Sequence, residues 1–409
     1  MRVRRVLLTT STLPRFPGDP EPRFVLDLAH ALSERYEVTV LAPADAAASP
    51  LERDGRVTIR RYRYAPLRRM ERLAYPGGIL PRLRHRPWLW TTVPMLFLGL
   101  YAALRRLRLE TFDLVHCHWL VPQGVVQATG FSGGRMPPFI VTSHGGDLTG
   151  CRGPLMRRLF HMVITRAGAT TLVSEALRAE AGGVLARAPV IPMGVDLVRF
   201  HPRFAVSACF SQWCGDRPVL LFVGRLVEKK GLSVLLRALT EPALKATGAH
   251  LVVVGDGPLR PRLETCREAL GLHDRVHFLP PAGHGRLPAL YASADVFCAP
   301  SVVAANGETD GLPAVILEAS ACATPSVSTP VGGITELIED GVNGLLVPPG
   351  DHVALARAAA RLINDDALRN RLGRAARDRV AAYGWSRIAA RFDLLYRSVL
   401  AADEAAGER

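Results

Sequence analysis

Lysine is nearly missing from this 409-residue chain: Lys229, Lys230 and Lys245 stand against 48 arginines among its 51 basic residues. Cysteine is sparse too, with seven scattered residues and no C-x-x-C pair. Neither a zinc site nor a disulfide framework is indicated by that spacing, and a reducing cytosol fits it best. No G-x-G-x-x-G follows a strand pattern and no G-x-x-x-x-G-K-[ST] occurs, which removes the main support for a dinucleotide or P-loop site. There is no Asp-x-Asp pair either, an argument against a metal-bridged diphosphate. Long hydrophobic runs are absent. The longest, WLWTTVPMLFLGLYAAL at residues 88–104, carries Thr91, Thr92 and Pro94 and reads as an interfacial or core helix rather than a span. The opening MRVRRVLLTTSTLP is too short in its apolar part for a signal peptide and reads as a first buried strand. No short-period repeat or low-complexity tract is present.

What is there is a soluble globular composition, 48% apolar and 22% charged, in a chain too long for one ordinary core. Short apolar runs alternate with helical segments, the mark of parallel α/β layers. Strands are expected at residues 6–9, 38–42, 114–116, 139–142, 171–173 and 190–191. A second set is expected at 219–223, 251–254, 276–279, 296–299 and 325–328. Helices are expected between them at 23–33, 231–239, 259–270 and 353–363, with a closing amphipathic helix from Trp385. The irregular stretch HPRFAVSACFSQWCGDR, residues 201–217, looks like a joint. The reading is two doubly wound sheets in tandem, residues 1–200 with a helix of about 385–409, and residues 201–384.

Charge is unevenly spread. Residues 56–110 hold thirteen arginines against Glu71 and Glu110, and RRYRYAPLRRMERL followed by PRLRHRPWLW interleaves cations with aromatics and aliphatics. A surface lying on anionic lipid has that character, and so does a merely solvated arginine-rich face. Nucleic acid is disfavoured, because no helix-turn-helix, zinc-finger or RNA-binding signature accompanies the charge.

Several residues stand out chemically. In FVGRLVEKKGL a strand ends at Gly224, Arg225 follows, and a helix begins near Gly231; anions bind at that edge of an open α/β sheet and at helix starts. Two of the three lysines fall there, which suggests that a compact point charge is wanted. In NGETDGLPAVILEAS, Asp310 opens a Gly-Leu-Pro turn and Glu318 interrupts an apolar helix. A carboxylate buried there needs donors, and a vicinal diol such as a ribose supplies two hydroxyls; a salt bridge to an arginine is the structural alternative. On the other side, Pro17-Gly18-Asp19 follows the first strand, and TSHGGDL sets His144 beside two glycines at a strand's carboxyl end.

Taken in order, FPGD, FDLVHCHWLVPQG, TSHGGDL, FVGRLVEKKG, ETDGLPAVILEAS and VGGITELIEDGVNGLLVPPGD resemble the retaining glycosyltransferases of family 4, over nearly the whole chain. The resemblance implies the GT-B fold: two Rossmann-like doubly wound domains facing a central cleft, with a C-terminal helix crossing back to the N-terminal domain. It implies transfer of a hexosyl group from a UDP- or GDP-linked sugar to an acceptor hydroxyl, lipid-linked in glycan or polysaccharide assembly or else a small soluble molecule. Carried onto this sequence, Arg225 and Lys230 hold the donor diphosphate, Asp310 faces the donor sugar with Gly311 and Leu312, and Glu318 takes the ribose. His144 lies beside the donor sugar and Gly18 near the phosphates. The diphosphate is then stabilised by cations and amides, with no metal and no cofactor, and the protein is cytoplasmic or peripheral on the inner face of the plasma membrane. Departures are Asp310 where glutamate is commoner, Leu-Pro-Pro at 279–281 where F-x-G is usual, and Ala323 in place of a glycine; proline offers no amide donor for a base. A sugar-nucleotide epimerase and a non-catalytic binding module are the competing classes.

Overall fold

The computed structural model describes residues 4–130, 136–150 and 153–407. The chain divides into two compact units, Met1–Pro192 with Trp385–Arg409, and Met193–Gly384. The break precedes the joint expected at 201–217. That segment belongs to the second unit, where the Val206 amide donates to Ser293 Oγ at 2.9 Å and Cys209 Sγ lies 3.8 Å from the Ala289 carbonyl. Cys151 lies outside the described residues, and the other six cysteines are free thiols.

The first unit holds seven strands: β1 (Arg5–Thr9), β2 (Glu37–Pro43), β3 (Leu51–Asp54), β4 (Val57–Tyr62), β5 (Leu114–His118), β6 (Phe139–Ser143) and β7 (Ala169–Leu172). Their order is β3-β4-β2-β1-β5-β6-β7, parallel except for β3, which runs antiparallel to β4. Alternation along β1 explains the two layers. Val6 and Leu8 enter one core with the helices Phe24–Leu32 and Trp385–Gly407, while Leu7 enters another with Val93–Arg106 and Pro154–Arg166. The closing helix is anchored by Asp393, whose carboxylate accepts from Arg35 Nη1 at 2.7 Å and from the Tyr36 hydroxyl at 2.6 Å.

Two expectations fail here. Residues 190–191 form only an isolated bridge, Leu172 to Val190, not a strand. The β3–β4 hairpin was not foreseen, because Arg60 and Arg61 interrupt the apolar pattern of VTIRRY. Arg61 is buried and turns its guanidinium inward, onto the Pro14 carbonyl and near the Tyr75 hydroxyl and the Glu52 carboxylate.

The second unit holds β8 (Val219–Val223), β9 (His250–Val254), β10 (Val276–Leu279), β11 (Val296–Ala299), β12 (Ser326–Ser328) and β13 (Leu345–Leu346), in the order β10-β9-β8-β11-β12-β13, all parallel. The order reverses between β8 and β11. The crevice outside the carboxyl ends of those two strands is the place where such sheets bind ligands.

Candidate functional site

At that reversal β8 runs into Gly224 and Arg225, both half-buried, then into a turn at Glu228–Lys230. Gly231 has φ +66°, and a Cβ there would sit 1.8 Å from the Pro300 carbonyl oxygen. Only glycine lets the lysine turn press against the loop after β11. Lys230 Nζ lies 2.8 Å from Asp310 Oδ2 and Lys229 Nζ lies 3.6 Å from Asp310 Oδ1. Lys229 also donates to the Thr309 carbonyl at 3.0 Å, and Ser301 Oγ donates to Asp310 at 3.1 Å. Burial alone would raise the Asp310 carboxyl; the charges of Lys230 and Lys229 and the hydrogen bonds from Lys230 and Ser301 outweigh it and hold it below the ordinary carboxylate range. Lys230 and Asp310 are thus one ion-paired unit rather than two independent side chains. The sequence set Lys229 beside Lys230 without giving it a role of its own, and Ser301 was not singled out.

Asp310 lies just ahead of the helix Ala314–Ala321, with Pro313 at its N-cap position. The Gly311 carbonyl accepts from the Gly333 amide at 2.8 Å, and Leu312 is buried. Glu318 proves only half-buried, between buried Leu317 and Ala319, and its Oε2 accepts from the Tyr291 hydroxyl at 2.9 Å. The protein itself therefore supplies one of the donors expected of a ligand, from a fully buried tyrosine that no motif pointed to. Beyond the helix Ala323 has φ +58°, with the Thr324 amide returning to the Ala319 carbonyl. That is a helix end where glycine is the comfortable residue, which explains the usual glycine there.

The first unit presents its own set at the carboxyl ends of β1, β5 and β6. Gly18 is exposed with φ +86°, and the buried Asp19 next to it is clasped by Arg15 Nε and Nη2 at 2.8 and 2.9 Å. His144 Nε2 meets His118 Nδ1 at 3.0 Å, and the His144 ring packs against Phe24 and Trp119 at 4.8 and 4.9 Å between centroids. Burial pulls the His144 imidazole down to about 3, so it is neutral at physiological pH. Its Nδ1 has no hydrogen-bond partner among the described residues. Trp119 adopts φ +77°, rare for an aromatic residue. The loop is braced by buried Asp147, which accepts from Ser143 Oγ at 2.5 Å and from the Leu120 amide at 2.7 Å. His118 and Trp119 are additions that the sequence did not flag.

Two parallel α/β units of this topology, each carrying polar groups at strand carboxyl ends, define the GT-B class. The solved structure of sucrose-phosphate synthase from Thermosynechococcus elongatus superposes with a TM-score of 0.77 at 24% identity, covering 98% of this chain and all of that one. Anabaena HepE in complex with UDP-glucose superposes at 0.70 with 21% identity, covering 96% and 99%. The family model "Glycosyltransferase Family 4" matches residues 22–199 and "Glycosyl transferases group 1" matches residues 210–379. A protein of Xylanimonas cellulosilytica named D-inositol 3-phosphate glycosyltransferase is 31% identical over 388 residues, 90% of this chain and 88% of its own length. A GDP-mannose-dependent alpha-(1-6)-phosphatidylinositol monomannoside mannosyltransferase of Mycolicibacterium smegmatis is 34% identical over 232 residues, 55% of this chain and 61% of its own length. The chain belongs to glycosyltransferase family 4, and it is a glycosyltransferase.

Proposed function

We propose that this enzyme transfers a hexosyl group, with retention, from a nucleoside diphosphate sugar to an acceptor hydroxyl presented at an anionic lipid surface. The observation that carries the donor half is the convergence of Lys229 and Lys230 on Asp310 beside Arg225, at the reversal of the second sheet. Cations fixed before the reaction stabilise charge as it develops on a departing diphosphate. The leaving phosphate oxygen then takes the acceptor's proton, so no second carboxylate nucleophile is required. Without an Asp-x-Asp pair, the diphosphate is neutralised by these side chains rather than by a metal. Complexes of HepE with UDP-glucose and the GDP-mannose dependence named for the Mycolicibacterium relative support a nucleotide-sugar donor of either base.

The acceptor half rests on the first unit. Among the described residues one helical stretch, Pro87–Arg106, is long and apolar enough to cross a membrane by length and composition. One side of it is committed to the core through Leu89, Leu96, Leu100 and Leu104, and a Cβ on Gly99 would lie 2.5 Å from the Arg63 carbonyl oxygen. Its exposed large apolar side chains are Trp88, Trp90, Met95 and Leu98, with Leu98 67% exposed. Arg68, Arg69, Arg84 and Arg86 are exposed in the preceding segment. Burial, and to a lesser extent the charges of Arg86 and Arg72, pull the Arg82 guanidinium below its ordinary value. Amphipathic aromatics beside clustered cations suit the headgroup region of an anionic leaflet, where each cation contributes about 1 kcal/mol.

A second reading, a soluble polyol phosphate as acceptor, is favoured by the name of the Xylanimonas relative. Cosedimentation with phosphatidylserine-containing vesicles at low and high salt separates the two. Binding that salt weakens, and that is lost when Arg68, Arg69, Arg82, Arg84 and Arg86 are neutralised, supports the lipid surface. Absence of binding at low salt leaves the soluble acceptor. A donor panel read by mass spectrometry, with and without lipid extract, identifies the base and the sugar.

A further inference from the structure

On the second unit, at the opposite end of the sheet from Arg225, three residues from remote segments converge. Cys214 ends the short helix Ser211–Cys214 and is buried, His250 is the first residue of β9, and His277 is the second of β10. One ligand atom from each lies within 4.8 Å of the others, the one such trio of His, Cys, Asp or Glu among the described residues. The geometry points to a zinc site held by Cys214, His250 and His277, which fastens the segment 201–217 to the amino-terminal edge of β9 and β10.

His250 Nδ1 and His277 Nε2 are 3.1 Å apart, with the rings stacked at 5.4 Å and 17°. Two nitrogens each about 2.0–2.1 Å from a tetrahedral zinc stand roughly 3.3 Å from each other, so the pair already approximates one edge of a coordination tetrahedron. One thiolate with two imidazoles is a donor set that suits zinc, with water completing the coordination. On binding, the Cys214 thiol loses its proton to solvent and a Zn–S bond forms. Fixing Cys214 to two neighbouring strands ties the joint to the sheet without touching Lys230, Asp310 or Glu318.

The test uses tag-free full-length protein stripped with a chelator and titrated with Co²⁺ and Zn²⁺. Co²⁺ is expected to develop a thiolate-to-cobalt charge-transfer band and visible ligand-field bands, with one equivalent bound and displaced by Zn²⁺. Zn²⁺ at about a hundredfold its Kd should raise the melting midpoint by a few degrees. Cys214→Ser should abolish the charge-transfer band and the stabilisation. His277→Asn, at a half-buried position, provides a second variant that loses both even if Cys214→Ser folds poorly. Nucleotide-sugar turnover at 25 °C should be unchanged in either folded variant. Wild-type protein that shows no charge-transfer band and no zinc-dependent shift overturns the assignment, as does an unchanged band in His277→Asn.

Discussion

The ion pair between Lys230 and Asp310 makes a quantitative claim that a motif alone does not. If Lys230 served only the diphosphate and Asp310 only the sugar, mutations at the two would act independently. The structure instead places Nζ 2.8 Å from Oδ2, with the carboxylate buried. At an effective dielectric of about 20 the direct attraction at that distance is about 6 kcal/mol, offset by desolvation of both ions. Removing one partner of a buried pair typically costs about 3–5 kcal/mol. Here Lys229, at 3.6 Å, takes up part of the charge. Lys230→Met is therefore expected to destabilise the second unit by about 2–4 kcal/mol, and the Lys230→Met/Asp310→Asn double variant by about 2 kcal/mol less than the sum of the singles. Urea titration followed by hydrogen exchange in peptides of residues 219–238 reads that unit alone. The pH dependence has a fixed sign. The Asp310 carboxyl is held below its unfolded value, so its contribution is complete above pH about 4 and is lost as pH falls through the folded value. The stability difference between wild type and Asp310→Asn should thus be flat from neutral pH down to about 5 and shrink below about 4. Turnover should fall about 10²–10³-fold in Lys230→Met. Strictly additive stabilities, or wild-type turnover in Lys230→Met, refute the reasoning.

Glu318→Gln should weaken binding of the bare nucleoside diphosphate, and Tyr291→Phe should do so about fivefold by removing the hydrogen bond that positions the carboxylate; wild-type calorimetric affinity in Glu318→Gln breaks the ribose assignment. Ala323→Gly should stabilise the protein by about 0.5–1 kcal/mol, since φ +58° strains alanine by more than glycine's extra unfolded-state freedom costs; a lower unfolding midpoint rejects it. Turnover at 25 °C should persist in EDTA even where the chelator lowers the melting temperature. Loss of turnover restored by Mg²⁺ or Mn²⁺ would place a metal at the diphosphate.

Much of the fold was legible because parallel strands buried on both faces appear as short apolar runs, and β1, β2, β8, β9 and β11 fall where such runs stand. β4 was hidden because its solvation problem is solved out of sight: Arg61 finds the Pro14 carbonyl inside the fold, which no local pattern shows. At the site, the spacing drew attention to Lys230, Asp310 and Glu318. It could not show that Lys229 turns toward the same carboxylate, since a tight turn aims two adjacent side chains by backbone geometry, not by period. Tyr291 reaches Glu318 from a different helix, and Cys214, His250 and His277 come from three separate segments. Such convergence is tertiary information. Ala323 was noticed as a departure from the family, but its strain became visible only with its φ.

The helix Trp385–Gly407 completes the first unit although the whole of Met193–Gly384 precedes it in the chain. During synthesis at about 5–20 residues per second, the 192 residues of the second unit take roughly 10–40 s to appear. For that interval the nascent first unit has the apolar surface of Val25, Ala29 and Tyr36 without Ile388, Phe392 and Tyr396 to cover it. Order of emergence is thereby reversed as order of completion: the later unit can finish first, and the earlier one must be kept from aggregating until the final helix arrives.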